Sequence, residues 1–309
     1  METIRFAEYS LSRMMLGTVQ FGMSYGIANR KGQPEYADVK RLLAAAADAG
    51  INCLDTAAAY GTSEEILGRA LHELRLTQKM FIVSKLRPLT PEEHACPKAA
   101  EQAIRGSVEQ SLSRLRIDSI PMMLFHRMTD FPFMENLKKL KEEGLIQHLG
   151  VSCDKWSDTA LDIVASSSVE AVQAGANILD QRYLKMGLCR SAKSHGVAVF
   201  IRSVYLQGLL MMEEVPEALQ IVVPVRKRLA ELAESAGIGI AELALRYILS
   251  QEGVSCVLIG VDNLSQLQEN IKLFDLGPLP GELLQAIENA VPVLPESVIT
   301  PALWPKTSK

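Results

Sequence analysis

Eight short apolar runs alternate with longer segments of helical periodicity, and this alternation limits the folds open to the chain more than any other feature. Several runs lack the strict apolar-polar alternation of a half-buried strand, which is typical of strands buried on both faces of a parallel sheet. The predicted strands are residues 14–16, 51–54, 80–83, 122–125, 149–151, 171–172, 197–201 and 254–259.

The segments between the runs predict amphipathic helices. In one of them Val39, Leu42, Leu43 and Ala46 recur every three or four positions, so they share one helix face. Alternating strands and helices are compatible with an open doubly wound sheet or a closed parallel barrel, and the count of eight favours the barrel. We therefore predict an α/β fold, a single (β/α)8 TIM barrel with variable loops and a C-terminal tail.

The chain length is compatible with one barrel or with two small domains. A TIM barrel typically takes about 250 residues, and this chain has 309. It contains no internal repeat and no linker rich in Pro, Gly or Ser, so we predict one domain over residues 1–309. The prolines within 86–99 predict a loop there, and residues 292–309 are predicted to form an irregular tail.

Charge and composition exclude several classes of protein. The formal net charge is −4 and the basic residues are scattered, so we expect no nucleic-acid partner. The N-terminus is charged where a signal peptide needs an apolar run, and no window reaches the roughly 18 apolar residues of a membrane span. We predict a cytoplasmic protein with no membrane partner. The five cysteines form no C-x-x-C pair, so neither a disulfide framework nor a metal site is predicted.

Polar residues follow the predicted strands at their carboxyl ends, where TIM barrels carry their active sites. Each of them alone has an ordinary structural explanation, such as a turn residue, a helix cap or a solvated strand end. Together they are expected to face one mouth of the barrel. In chain order they are Thr18, Asp55, Lys85, His126, Ser152, Gln173, Arg202 and Ser203, and Gly260 follows the eighth strand.

The most informative segment runs from Asp55 to Gly61, Asp-Thr-Ala-Ala-Ala-Tyr-Gly, and it places a carboxylate at a strand end and a phenol five residues later. This segment resembles the aldo-keto reductase family. The resemblance continues in order along nearly the whole chain. Its other segments are residues 16–22, 63–68, 83–85, 124–126, 149–152, 177–182 and 260–270.

The resemblance implies a catalytic tetrad of Asp55, Tyr60, Lys85 and His126, and NAD(P)H-dependent reduction of a small-molecule aldehyde or ketone to an alcohol. Hydride addition leaves negative charge on the carbonyl oxygen, which needs a proton donor, and Tyr60 takes that role. A free phenol titrates near pH ~10, so we expect the Lys85 ammonium to lower the pKa of Tyr60. Asp55 would orient Lys85, and His126 would hydrogen-bond the carbonyl oxygen.

No G-x-G-x-x-G opens a βαβ unit, so the sequence has no Rossmann-type nucleotide motif. The resemblance implies instead that the dinucleotide lies across the barrel mouth. Thr18 belongs to the implied cofactor loop, Ser152 and Gln173 would hold the nicotinamide carboxamide, and Arg202 would stack on the ring where the family often has an aromatic side chain. The remaining implied contacts are Ser203, Leu206 and Gly208 at the pyrophosphate, and Gly260, Asp262, Gln266 and Asn270 at the adenosine end.

The sequence leaves NADPH and NADH as alternatives. Gln266 stands where the family often places a cation that binds the 2′-phosphate of NADPH, and Asp262 adds negative charge nearby. A carboxylate accepts hydrogen bonds from a ribose diol but repels a phosphate. These two residues weaken the usual inference of NADPH.

Two other functions stay open at this stage. One is a non-catalytic redox sensor that binds a nicotinamide nucleotide. The other is a Schiff-base lyase that uses Lys85 as its nucleophile, because barrels host many unrelated reactions. Borohydride trapping with substrate would reveal the lyase, and nicotinamide absorbance with a panel of aldehydes separates the sensor from the reductase.

Overall fold

The computed structural model describes residues 1–304 and contains a closed barrel of eight parallel strands, as predicted. The strands in chain order are β1 (Thr3–Phe6), β2 (Tyr9–Ser12), β3 (Met14–Gly17), β4 (Cys53–Asp55), β5 (Phe81–Lys85), β6 (Ile120–Phe125), β7 (Ile146–Cys153), β8 (Ala171–Gly175), β9 (Ala198–Arg202) and β10 (Cys256–Gly260). From β3 onward each strand pairs with the next, and β10 closes the barrel against β3. All eight predicted strands are present, with β7 longer at both ends.

An antiparallel hairpin of β1 and β2 precedes the barrel and was not predicted. The two strands pair from Thr3 opposite Ser12 to Phe6 opposite Tyr9. Phe6 and Leu11 are buried with the side chains that fill the barrel interior. The hairpin strands are only four residues long and each exposes part of its length, so they leave no apolar run in the sequence.

Helices cover the outside of the barrel, and α2 buries the predicted face of Val39, Leu42, Leu43 and Ala46. The α-helices are α1 (Val19–Gly22), α2 (Tyr36–Asp48), α3 (Ser63–Glu73), α4 (Pro91–Ala95), α5 (Pro97–Leu115), α6 (Met134–Glu142), α7 (Thr159–Ala165), α8 (Arg182–Lys185), α9 (Leu188–Ser194), α10 (Val223–Ser235), α11 (Ile240–Leu249), α12 (Leu264–Phe274), α13 (Gly281–Ala290) and α14 (Glu296–Ile299). Short 3-10 helices are Thr77–Lys79, Met128–Phe133, Leu206–Gly208, Glu217–Val222 and Pro301–Leu303. None of these helices is long and apolar enough to cross a membrane.

The predicted loop at 86–99 is wrong in part, because it contains α4 and the start of α5. Thr90 caps α4: its hydroxyl accepts from the Glu93 N–H, and the Glu93 carboxylate accepts from the Thr90 N–H. Pro91 and Pro97 stand at the first positions of the two helices. Proline is favoured there because the first N–H groups of a helix have no partner within it.

The predicted irregular tail is also more ordered than expected. Residues 296–303 form α14 and a 3-10 helix, and Trp304 is nine-tenths buried. Its Nε1 donates to the Val298 carbonyl at 2.8 Å, so the ring packs against the tail itself. Residues 305–309 of the predicted tail lie outside the described residues.

Residue alternation along the barrel strands places polar side chains at the mouth formed by the carboxyl ends of the strands. Successive side chains of a strand point to opposite faces, so a residue two positions after an interior side chain also faces inward. Five strands place an apolar side chain in the buried interior cluster and a polar one two residues later. The pairs are Cys53 and Asp55, Val83 and Lys85, Leu124 and His126, Ala171 and Gln173, and Phe200 and Arg202.

Candidate active site

A buried ion pair between Asp55 and Lys85 lies at the carboxyl ends of β4 and β5. Lys85 Nζ is 2.7 Å from both carboxylate oxygens of Asp55, and it also donates to the Thr56 carbonyl at 2.9 Å. The two side chains are 1% and 4% exposed. Burial lowers the pKa of Lys85, and the charge of Asp55 opposes that shift. Each charge therefore depends on the other for its stability in the interior.

The turn after β4 carries Tyr60 to this pair. The Ala58 N–H donates to the Lys85 carbonyl, and the Ser63 N–H donates to the Tyr60 carbonyl, each at 3.0 Å. The turn is thus fixed to β5 on one side and to α3 on the other. Lys85 Nζ lies 3.3 Å from Tyr60 Oη. The predicted contact between the ammonium and the phenol is present.

Gly22 lets the Tyr60 turn pack directly on α1. A Cβ on Gly22 would lie 1.9 Å from the Tyr60 carbonyl oxygen and 2.3 Å from the Ser63 nitrogen. We expect Gly22→Ala to push the phenol away from Lys85, to lower turnover at least tenfold, and to reduce the free energy of unfolding by about 1–3 kcal/mol.

Steady-state kinetics and urea unfolding measure the two effects of this substitution. Gly106→Ala in α5 is the control, because nothing lies within 4 Å of its added Cβ, and we expect wild-type turnover. Wild-type turnover in Gly22→Ala would contradict the claim that this contact positions Tyr60.

The pKa of the Tyr60 phenol is raised above its ordinary value, so the prediction that this pKa is lowered overall is wrong. Burial is the largest cause and the charge of Asp55 adds to it, while Arg202 acts in the opposite direction. Because Asp55 lies 2.7 Å from the Lys85 ammonium, the pair presents little net charge to the phenol. Tyr60 is therefore protonated at neutral pH and holds a proton that it can donate.

His126 lies beside the same phenol. The two rings meet edge to face, with 5.7 Å between their centroids. Burial, followed by the charges of Lys85, Arg202 and Arg127, lowers the pKa of His126 to about 3, so the imidazole is neutral at neutral pH. Its Nδ1 is buried and has no hydrogen-bond partner within residues 1–304. A neutral imidazole in this position can donate one hydrogen bond to a carbonyl oxygen next to Tyr60.

Gln173 and Ser152 lie side by side across the mouth from the Tyr60 turn, paired in the register of β7 and β8. Gln173 Nε2 donates to Asp55 Oδ1 at 2.6 Å. Its Oε1 is buried and finds no partner in the described part of the chain. A buried acceptor without a donor destabilises the protein by about 1–3 kcal/mol. This oxygen is therefore available to a ligand that carries an amide N–H.

Arg202 lies on the same side of the mouth, at the end of β9. One guanidinium nitrogen donates to the Cys153 carbonyl at 3.1 Å and another to Ser203 Oγ at 3.3 Å. The guanidinium also lies 3.4 Å from the position of a Cβ on Gly175, so it spans the end of β8. Both acceptors are uncharged, and within residues 1–304 no carboxylate pairs with Arg202 at 4.0 Å or less.

The loop after β9 has a strained backbone. Ser203, Leu206 and Gln207 have φ values of 69°, 48° and 54°, in the left-handed region, and Gly208 follows at 88°. Side chains other than glycine rarely adopt this conformation, and such strain is concentrated at ligand sites. A Cβ on Gly208 would lie 2.4 Å from Ala28 Cβ, so the segment between α1 and α2 packs directly on this loop.

Three residues predicted at the adenosine end bind protein groups. The Gln266 side chain accepts from the Asp262 N–H at 2.7 Å. The Asn270 side chain accepts from the Tyr205 phenol at 2.6 Å and donates to the Gln266 carbonyl at 2.7 Å. Asn29 donates to the Asp262 carboxylate at 3.4 Å. These bonds tie α12 to the strained loop and to the segment after α1.

Thr18 and Gly260 lie at the ends of the adjacent strands β3 and β10. The Thr18 hydroxyl is fully buried, donates to the Asp55 carbonyl at 2.8 Å and contacts Ser63 Oγ at 2.9 Å. It therefore positions the end of β4. A Cβ on Gly260 would lie 2.7 Å from Gln20 Nε2, and Gln20 Oε1 is buried without a partner in residues 1–304. Sequence reasoning missed Gln20, although it follows the end of β3 by three residues.

Tyr25 is a second residue that sequence reasoning missed. It lies between α1 and α2, is 39% exposed, and its phenol accepts from Gln207 Nε2 at 3.2 Å. Burial raises the pKa of Tyr25, and the charged states of Tyr60, Arg202 and Lys85 also shift it. The phenol therefore lies near the mouth. No motif marks it, because it lies outside the segments that carry the family resemblance.

Comparisons with known proteins give the family and the fold. A model described as "Aldo/keto reductase family" matches residues 13–292. The chain is 28% identical over 244 residues to an L-galactose dehydrogenase of Arabidopsis thaliana, covering 72% of this chain and 73% of that protein. It is 27% identical over 327 residues to an NADH-specific methylglyoxal reductase of Escherichia coli (strain K12), covering 91% and 97%. The holo form of an aldo-keto reductase from Bacillus halodurans has the same fold, with a TM-score of 0.79, 23% identity and coverage of 95% and 97%.

Proposed function

Because this chain belongs to the aldo/keto reductase family, it is an NAD(P)H-dependent oxidoreductase of carbonyl compounds, and we propose that Tyr60 supplies the proton as an aldehyde or ketone becomes an alcohol. The observation that carries the proposal is the 3.3 Å contact between Lys85 Nζ and Tyr60 Oη, with His126 against the same phenol. When bound, the reduced cofactor supplies the hydride that the carbonyl carbon accepts.

The proton step uses Tyr60 and the buried pair behind it. As negative charge develops on the carbonyl oxygen, Tyr60 Oη donates its proton to that oxygen. A phenol remains a stronger acid than an alcohol, so this transfer is favourable even from a phenol with a raised pKa. The phenolate left behind accepts a hydrogen bond from Lys85, which Asp55 holds in place.

His126 positions the carbonyl oxygen. Its imidazole is neutral at neutral pH, so it can donate a hydrogen bond without competing with Tyr60 for the proton. The edge-to-face contact fixes its ring relative to the phenol. We propose that the carbonyl oxygen binds between these two side chains.

The residues of the mouth fit a nicotinamide dinucleotide. The unpaired Oε1 of Gln173 offers an acceptor to a carboxamide, with Ser152 beside it. The strained loop after β9 exposes a ligand-type backbone conformation, and the Gln20 side chain over Gly260 carries a buried oxygen with no partner in the described residues. We propose that Ser152 and Gln173 hold the carboxamide. The proposed remaining contacts are Ser203, Leu206 and Gly208 at the pyrophosphate, and Gly260, Asp262, Gln266 and Asn270 at the adenosine end. Thr18 supports the cofactor loop from below through its hydrogen bond to the Asp55 carbonyl.

We predict that NADH is preferred to NADPH by at least tenfold in kcat/KM. The Asp262 carboxylate lies at the proposed adenosine end, where it would accept from a ribose diol and repel a 2′-phosphate. Asp262→Ser removes that charge, and we expect it to reduce the preference about tenfold, the effect of roughly 1.4 kcal/mol.

Initial rates with both nucleotides measure this preference. Asp275→Ser is the control, because Asp275 is an exposed carboxylate at the C-terminal cap of α12, the opposite end of that helix from Asp262, and we expect it to leave the ratio unchanged. Equal kcat/KM for the two nucleotides, or any preference for NADPH, in the wild-type protein would overturn the prediction.

The function itself is tested by the absorbance of NADH and NADPH with a panel of short aliphatic and aromatic aldehydes. We expect cofactor oxidation that depends on the aldehyde. Tight nucleotide binding with no turnover on any aldehyde or ketone would instead favour the redox sensor.

The lyase alternative has little structural support. A Schiff-base lysine needs a free neutral amine that can reach its substrate. Lys85 is 1% exposed, and Asp55, Thr56 and Tyr60 all accept its hydrogen bonds. We therefore expect no borohydride trapping at Lys85.

A further inference from the structure

Arg202 is a cation at the mouth that forms no ion pair within the described residues, although the Asp154 carboxylate lines the same cavity. Its two hydrogen bonds go to a backbone carbonyl and a hydroxyl, and no carboxylate of residues 1–304 pairs with it. Lys85, by contrast, is neutralised by Asp55, and Arg182 on the same rim by Asp180 at 2.8 Å. Arg202 is also half-buried, so its field is screened less than that of a surface arginine.

The guanidinium lies on the side of the mouth proposed for the cofactor. It bonds the Cys153 carbonyl directly after Ser152, and β8 pairs with β9 so that Gly175 lies opposite Arg202, two residues beyond Gln173. Because Gly175 has no side chain, the guanidinium can span the end of β8. Cys153 and Gly175 lie on β7 and β8, the two strands that carry Ser152 and Gln173, the side chains proposed to hold the carboxamide.

We propose that Arg202 lies against the nicotinamide and makes the site bind the reduced cofactor more tightly than the oxidised one. This inference rests on the proposed function and adds a residue that selects the cofactor's redox state. The oxidised ring carries a positive charge that the reduced ring lacks, so a fixed cation beside it disfavours only the oxidised form. The field of Arg202 also reaches Tyr60 and His126, whose pKa values it lowers.

The expected effect of Arg202 on the ratio of Kd(NAD⁺) to Kd(NADH) follows from Coulomb's law. Two like charges about 7 Å apart at an effective dielectric of 20 shift an equilibrium roughly 50-fold. Solvent reaches part of the guanidinium, so we expect about tenfold.

The same charge acts on the direction of the reaction. The bound cofactor would supply a hydride with its electron pair to the carbonyl carbon, Tyr60 would protonate the oxygen, and the oxidised ring would then carry a positive charge beside Arg202. Arg202 opposes that new charge. It thereby shifts the equilibrium between bound reactants toward alcohol oxidation and speeds release of the oxidised cofactor after reduction.

Equilibrium binding tests the proposal without turnover. We would measure Kd for NAD⁺ and NADH by calorimetry on the full chain, with Arg202→Met to remove the charge and Arg202→Lys to keep it. We expect the ratio of Kd(NAD⁺) to Kd(NADH) to fall about tenfold in Arg202→Met, mainly through tighter binding of NAD⁺. Arg202→Lys should retain most of the ratio. Arg182→Met is the control, because Asp180 already neutralises that charge, and it should leave the ratio unchanged.

A wild-type ratio in folded Arg202→Met would overturn the proposal. So would a variant with an unchanged ratio that loses kcat/KM only for aldehydes carrying a carboxylate, since Arg202 would then bind substrate. Circular dichroism establishes that each variant is folded. If the wild-type chain binds neither nucleotide, the proposed function fails together with this inference.

Discussion

Tyr60→Phe is expected to lower carbonyl reduction about a thousandfold, since a positioned general acid contributes 10²–10⁴-fold. The substitution removes only the phenol oxygen, and the ring keeps its edge-to-face contact with His126. Lys85 keeps Asp55 and Thr56 as hydrogen-bond acceptors, so the buried pair remains intact. We therefore expect little change in thermal stability or in the affinity for NADH.

The measurements are kcat with the best aldehyde, Tm, and Kd for NADH. Tyr36→Phe is the matched control: it removes the same atom at the start of α2, where the ring packs under Arg69 rather than at the mouth. We expect its turnover to stay within twofold of wild type. Turnover within twofold of wild type in Tyr60→Phe would reject Tyr60 as the proton donor.

Lys85→Met is expected to have the largest effect on stability. It leaves the Asp55 carboxylate buried with Gln173 but without a cation. Breaking one partner of a buried ion pair typically lowers stability by roughly 3–5 kcal/mol, a large part of the 5–15 kcal/mol of an ordinary protein. Turnover should also fall at least a hundredfold, because the phenolate of Tyr60 loses the hydrogen bond that stabilises it.

The double variant Asp55→Asn with Lys85→Met separates the two effects. Removing both charges leaves no unpaired ion in the interior, so we expect most of the lost unfolding free energy to return. Turnover should not return, since no ammonium contacts Tyr60. Urea unfolding and kcat on the three proteins measure this. If Lys85→Met alone is as stable as the wild-type protein, the claim that Asp55 and Lys85 depend on each other for stability is contradicted.

The barrel was predictable from the sequence because its strands are buried on both faces. Such strands appear as continuous apolar runs, and a polar residue just past a run is easily seen. Asp55, Lys85 and His126 were found in this way, and the resemblance added Tyr60. The N-terminal hairpin was not found, since half-exposed strands of four residues leave no such pattern.

The electrostatics of the mouth could not be predicted from residue types. The sequence indicates that Lys85 follows a strand near Tyr60, but not that Asp55 lies at 2.7 Å and neutralises it. It also does not show that no carboxylate within residues 1–304 pairs with Arg202. The neutralisation of Lys85 and the unpaired charge of Arg202 both depend on distances between side chains of different strands. Residue types alone do not give those distances.

The contacts between the loop after α1 and the loop after β9 could not be predicted from the sequence either. Tyr25 and Ala28 reach the loop after β9 through backbone conformations that no motif specifies. The left-handed φ of Leu206 is set by its surroundings, since the residue type disfavours it.

Transfer of deuterium from NADH labelled at both C4 positions to 4-nitrobenzaldehyde tests the central claim most directly. We predict that the wild-type protein produces 4-nitrobenzyl alcohol with deuterium on the carbinol carbon, detected by proton NMR, and that Tyr60→Phe produces it about a thousandfold more slowly, as expected for loss of a general acid. Labelled alcohol formed at the same rate by both proteins, or none formed by a wild-type chain that binds NADH, would contradict the account.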